Sequence, residues 1–137
     1  MILLTRNALL PLMFVLLITT CNADEFPPKT LVQMTNNLGA NLDITVHCKS
    51  KDDDLGAQLL NPSSTFEFRI VPSFEGITQF FCRMEWPGVF HYFDIDITIR
   101  DRIPCNLNCL WSIIPEGPCM FNKDTSKYDI CYPWNPQ

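Results

Sequence analysis

Between residues 42 and 101 the side chains alternate between apolar and polar, and this constrains the fold more than any other feature. In 42–48 Leu42, Ile44, Val46 and Cys48 fall on one side, with Asp43, Thr45 and His47 on the other. In 64–71 Phe66, Phe68 and Ile70 alternate with Thr65, Glu67 and Arg69. In 80–86 Phe80, Cys82, Met84 and Trp86 oppose Phe81, Arg83 and Glu85. In 91–101 His91, Phe93, Ile95, Ile97 and Ile99 alternate with Tyr92, Asp94, Asp96, Thr98 and Arg100. A period of two puts one set of side chains on each face of a half-buried strand. No window longer than ten residues keeps the helical period.

Turn signals separate these runs at Asn36–Gly39, Asp52–Gly56, Asn61–Ser63, Pro72–Gly76, Pro87-Gly88 and Pro115–Pro118. The spacing predicts an all-β, small antiparallel β-sandwich of about eight disulfide-stabilised strands. Those strands fall near 30–36, 42–48, 56–60, 65–71, 77–86, 90–99, 109–114 and 127–132. Phe66, Phe68, Phe80, Trp86, Ile95, Ile97 and Trp111 are its expected core. Trp134, tethered close behind Cys131, is expected to pack as well.

The first residues read differently. Arg6 precedes an uninterrupted apolar run, 8–18, and then the small residues Cys21 and Ala23. This is the three-part pattern of an export signal cleaved after Ala23. The run is too short to span a bilayer, which takes about 20 residues. The expected organisation is a signal peptide, 1–23, and one domain, 24–137. The mature chain would be secreted and extracellular, without stable membrane insertion.

Export determines how the cysteines are read. Cys21 leaves with the leader, and Cys48, Cys82, Cys105, Cys109, Cys119 and Cys131 remain. An even number in a small secreted domain implies disulfides, and six cysteines allow 15 complete pairings. The Cys105-x-x-x-Cys109 spacing would tolerate zinc, but secreted thiols are normally paired, so no metal is expected.

Charge narrows the partners. The net charge is −5, and without Arg6 nine basic residues face fifteen acidic ones. An acidic chain lacks the basic footprint that nucleic acid requires. Its densest charge feature is Lys49-Ser50-Lys51-Asp52-Asp53-Asp54, a solvated loop after a strand. The acids lack the alternate spacing of an EF-hand, so they are not read as a calcium site.

Catalytic motifs are missing from the sequence. It has no Gly-x-Ser-x-Gly elbow, no His-Glu-x-x-His pair and no Gly-rich phosphate loop. The two histidines, His47 and His91, both fall inside strand patterns. No catalytic or cofactor-binding residue and no cofactor are assigned. A hydrolase would show a cleft where His47 or His91 meets a carboxylate, whereas a ligand would keep the histidines apart with no cleft. No Asn-x-Ser/Thr acceptor exists, because Asn61 precedes Pro62.

Residues 47–56, His-Cys-Lys-Ser-Lys-Asp-Asp-Asp-Leu-Gly, resemble the signature of the plant self-incompatibility S1 family of secreted S-protein homologues. Asn36-Asn37-Leu38, Phe66, Phe68-Arg69, Phe81-Cys82, Trp86, Phe93, Arg100-Asp101, Cys105 and Cys109-Leu110-Trp111 follow the family's order, so the likeness covers roughly 30–134. The resemblance implies a small secreted β-sandwich that acts as a non-enzymatic signalling ligand. The best-characterised members trigger rejection of self pollen in the pistil. It implies a cell-surface protein receptor as partner, a monomeric state, and recognition through loops. The candidates are Ser50, Lys51, Asp52, Asp53 and Asp54, with Glu75 in the 72–76 turn and Val89 in the 87–89 turn. Many members lack counterparts of Cys119 and Cys131, which implies that these two pair together. Cys105 and Cys109 would then bridge to Cys48 and Cys82. The rival class is a small secreted hydrolase or carbohydrate-binding defence protein on the same scaffold.

Overall fold

The computed structural model describes residues 29–71, 79–96, 100 and 102–137. The segment read as a signal peptide, 1–23, and the expected site and core residues Glu75, Ile97 and Ile99 lie outside the described residues. The elements are β1 (Thr30–Asn36), β2 (Ile44–Lys49), β3 (Asp54–Leu60), β4 (Thr65–Ile70), β5 (Gln79–Trp86), β6 (Val89–Asp96), a single helical turn α1 (Arg102–Cys105), β7 (Asn108–Ile114), β8 (Gly117–Asn122) and β9 (Lys127–Cys131).

The strands form two sheets, of order β4-β1-β7-β8-β9 and β3-β2-β5-β6. One cluster of buried side chains joins them: Val32, Met34, Trp111 and Ile113 from the first sheet, and Val46, Met84, Phe93 and Ile95 from the second. Ring pairs cross the gap, with Phe93 on Trp111 at 5.2 Å and Phe68 on Phe80 at 5.3 Å between centroids. The fold is therefore an all-β sandwich, with alternate side chains of facing strands making the core. Phe80, Trp86, Ile95 and Trp111 are buried as expected. Phe66 and Phe68 are only half-buried, because β4 is an edge strand of its sheet.

The fold class is the expected one, and three details refine it. The described residues hold nine strands, close to the eight or so expected, since the turn read across 115–118 ends at Glu116 and β8 starts at Gly117. Gly117, Pro118, Cys119 and Met120 are all buried, so no alternation announces the strand, and its Gly-Pro start resembles a breaker. Gly117 has φ +148°, and a Cβ there would run into the Tyr132 carbonyl, so the close approach of the C-terminal tail needs glycine. The sandwich is also not wholly antiparallel, because β1 runs parallel to β7. Finally, the bridges are Cys48–Cys82, Cys105–Cys109 and Cys119–Cys131. Cys119 pairs with Cys131 as the resemblance implied, but Cys105 and Cys109 do not reach Cys48 and Cys82. The physical reason is register. Cys48 and Cys82 are direct neighbours on β2 and β5, so each satisfies the other. Cys105 closes the helical turn just before β7 and meets Cys109 across four residues.

The C-terminal tail binds the sandwich together. The Asn135 amide donates to the Tyr92 carbonyl at 2.9 Å, and Gln137 Nε2 donates to the Phe90 carbonyl at 3.0 Å. The tail thus covers the outer edge of β6, an edge that would otherwise be open to another strand. Trp134 packs, as expected, donating its indole N–H to the Pro115 carbonyl at 2.9 Å.

Candidate functional site

The loop between β2 and β3 is shaped by its own polar groups. The Ser50 amide donates to the Asp53 carbonyl at 2.7 Å, and the Asp53 amide donates back to Ser50 Oγ at 3.1 Å. This reciprocal pair closes a tight turn, the local chemistry that favours Ser and Asp there. The three consecutive carboxylates then part company. Asp54 opens β3, where its Oδ1 accepts the Gly56 amide at 2.9 Å and meets His47 Nε2 at 2.6 Å. Asp52 and Asp53 stand exposed, with no side-chain partner among the described residues.

The His47 hydrogen bond, followed by the Gly56 amide, holds the Asp54 carboxyl below its ordinary value of 3.8. A depressed carboxyl pKa gives a contribution that is whole above the unfolded value and lost as pH falls through the folded one. The loop should therefore keep its form at neutral pH and loosen only below the ordinary carboxylate range. Amide hydrogen exchange at Gly56 and Asp53, followed from pH 7 downward, checks this. Loosening that begins above pH 5 would contradict it.

His47 and His91 sit on opposite faces of the same sheet. His91 turns inward and stacks on Trp134, with ring centroids 4.9 Å apart and planes within 4°. Its role is packing. His47 faces outward beside a shallow hollow of about 180 Å³ lined by His47, Lys49, Phe81, Arg83 and Tyr92. The structure thus separates the two histidines, yet it also brings one of them to a carboxylate at a concavity. The pair is open to solvent, with His47 and Asp54 side chains 38% and 62% exposed. A dry, preorganised environment, which makes such a pair catalytically strong, is therefore lacking at this position.

Two of the candidate loops lie far apart. Antiparallel register puts Lys49 opposite Phe81 and Thr45 opposite Glu85, so the 50–54 loop and the Pro87-Gly88 turn lie at opposite ends of the sheet. Val89 starts β6 half-buried and packs on the core. Two features escaped the sequence reading. The hollow was visible only as aromatic residues, Phe81 and Tyr92, on nominally polar strand faces. Asn36, read as part of a turn, is buried and fully bonded: Nδ2 donates to the Leu42 and Leu60 carbonyls at 2.8 and 3.0 Å, and Oδ1 accepts the Leu38 amide at 3.1 Å.

Comparison with known proteins adds the following. The family model described as plant self-incompatibility protein S1 matches residues 31–134. S-protein homolog 3 of Arabidopsis thaliana is 42% identical over 108 residues, covering 77% of this chain and 72% of that protein. S-protein homolog 20 of the same plant is 45% identical over 107 residues, covering 77% and 76%. S-protein homolog 29 is 36% identical over 118 residues, covering 86% and 87%. No solved structure matches the chain significantly.

Proposed function

The chain belongs to the plant self-incompatibility protein S1 family, and from that premise we propose that it is a secreted, non-enzymatic ligand read by a protein receptor on a neighbouring cell. Its setting is cell–cell communication, with rejection of self pollen in the pistil as one form. The observation that carries this reading is the acidic 50–54 loop. Its backbone is closed by its own hydrogen bonds, and Asp52 and Asp53 project into solvent. A shaped loop that displays unspent charge on a rigid sandwich suits recognition better than it suits stability.

The test replaces Asp52 and Asp53 with Asn and leaves Asp54, which anchors the loop. Stability should stay within about 0.5 kcal/mol, as for other exposed substitutions. Association with responsive cells should slow several-fold at low salt and lose part of its salt dependence, because steering charge is gone. Unchanged association kinetics would remove this loop from recognition.

A second reading, a small secreted hydrolase, draws on the His47–Asp54 pair. Hydrolysis of an ester, phosphodiester or glycoside that disappears in His47→Gln would establish it. The exposure of the pair favours the ligand.

A further inference from the structure

The acidic loop leaves the outer face of sheet β3-β2-β5-β6 unexplained. Residues paired across antiparallel strands point to the same side of a sheet. The register therefore lines up three outward rows: Leu59, Thr45, Glu85 and Phe90; then Ala57, His47, Arg83 and Tyr92; then Lys49, Phe81 and Asp94. Of the seven large hydrophobic side chains exposed among the described residues, four lie here: Leu59 at 66%, Phe81 at 45%, Phe90 at 44% and Tyr92 at 43%. Single exposed apolar residues are ordinary, but a cluster is not. Aromatic rings with arginine are also the composition enriched at protein interfaces. The Arg83 guanidinium lies 4.9 Å above the Phe90 ring, and Phe90 meets Tyr92 edge-on at 6.1 Å.

Size and charge define the occupant. A hollow of about 180 Å³ is smaller than the roughly 300–1,000 Å³ of a metabolite pocket. It suits one side chain of a partner. Its lining carries Lys49, Arg83 and the His47 imidazole and no carboxylate, on a chain whose net charge is −5. Two of the acids around it, Asp54 and Asp94, are already engaged. Asp54 is held by His47, and Asp94 accepts hydrogen bonds from Gln79 and Asn135 at 3.0 Å each. Glu85 lies 3.7 Å from Arg83, longer than a hydrogen bond, so it does not consume the guanidinium's donors. The tail closes the β6 edge while leaving the Phe90 and Tyr92 rings exposed, so an approaching chain meets the face and not the edge.

We propose that this face docks a protein partner by taking a Glu or Asp side chain of that partner into the hollow, between Lys49 and Arg83, with Phe81, Phe90 and Tyr92 covering apolar residues beside it. This rests on the ligand reading and adds to it the chemistry of the receptor: an acidic side chain set among apolar ones. Arg83 supplies the fork geometry that matches a carboxylate, and Lys49 supplies a point charge.

The test titrates the isotope-labelled, disulfide-intact mature chain with an acetylated, amidated peptide of alternating Glu and Leu, followed by NMR. A Gln–Leu peptide and an oligogalacturonate serve as parallel probes. The Glu–Leu peptide should shift the amide resonances of His47, Lys49, Arg83 and Tyr92, and the Gln–Leu peptide should bind more weakly. Arg83→Gln should weaken Glu–Leu binding roughly tenfold or more, the usual scale for losing a charged hydrogen-bond partner. Equal binding of the two peptides, scattered shifts, or undiminished binding to Arg83→Gln would overturn the proposal. Preference for the oligogalacturonate at these residues would overturn it too, by making the occupant an acidic sugar. Cell binding separates the two readings. If Arg83→Gln and Tyr92→Ala bind responsive cells as well as the wild type, the docking face fails and the receptor stands. If the wild type binds no cell while the Glu–Leu peptide still seats in the hollow, the receptor reading alone fails.

Discussion

Replacing Asn36 with Ala should destabilise the fold by about 3–5 kcal/mol, since each of the three groups its side chain bonds would lose roughly 1–3 kcal/mol if left buried and unpaired. Those groups are the Leu42 and Leu60 carbonyls and the Leu38 amide. The lower part of the summed range applies because the surroundings of Leu42 are only partly buried. Asn36 ends β1 in one sheet, whereas Leu60 ends β3 in the other, so one amide ties both layers together at that end of the sandwich. Asn36→Asp should be no milder. It keeps the acceptor for Leu38 but turns a donor into a second acceptor facing two carbonyls. Denaturant unfolding of both variants checks this, and a loss below about 1 kcal/mol in either would contradict the role given to Asn36.

The Cys48–Cys82 bridge should be the most stabilising of the three. It closes the longest segment, with a sequence separation of 34, against 12 for Cys119–Cys131 and 4 for Cys105–Cys109. Loop-closure entropy then gives about 4, 3 and 2 kcal/mol respectively. The first bridge also joins the two central strands of its sheet. Changing both Cys48 and Cys82 to Ala should lower Tm by on the order of 15–20 °C for a domain of this size. The Cys105/Cys109 pair of substitutions should lower it by about half as much. Calorimetry on the two variants tests the order. A larger drop for Cys105/Cys109 would show that the helical turn, and not the β2–β5 pair, carries the constraint.

The sandwich was legible because both sheets are amphipathic. Strands such as 80–86 bury one face only, so their alternation survives in the sequence. β8 was not legible for the converse reason. Its first four residues are buried without alternation, and the tail packing on Gly117 is a long-range contact that no local pattern reveals. The half-burial of Phe66 and Phe68 depended on β4 being an edge, which is a matter of topology. Cysteine pairing depends on register in the same way. Cys48 and Cys82 alternate with the core in their own strands, but only the β2–β5 alignment makes them neighbours.

At the candidate site, the sequence disclosed the acidic loop but not its division of labour. Asp54 folds back on His47 and Gly56, while Asp52 and Asp53 remain outward. The hollow needed three strands in register, β2, β5 and β6, and each contributes only one or two residues that look unremarkable alone. An outward aromatic residue on a polar strand face, such as Phe81 or Tyr92, was the signal available, and it marks exposed apolar area.

The central claim is that this chain is a ligand with a receptor on another cell. Saturation binding of labelled, disulfide-intact protein comprising residues 24–137 to intact pollen and pistil cells tests it most directly, with excess unlabelled protein as competitor. The account predicts saturable binding on at least one cell type that is displaced by the unlabelled chain, is abolished by protease treatment of the cell surface, and falls as salt rises. Binding that stays linear with concentration, or that survives removal of surface proteins, would contradict it.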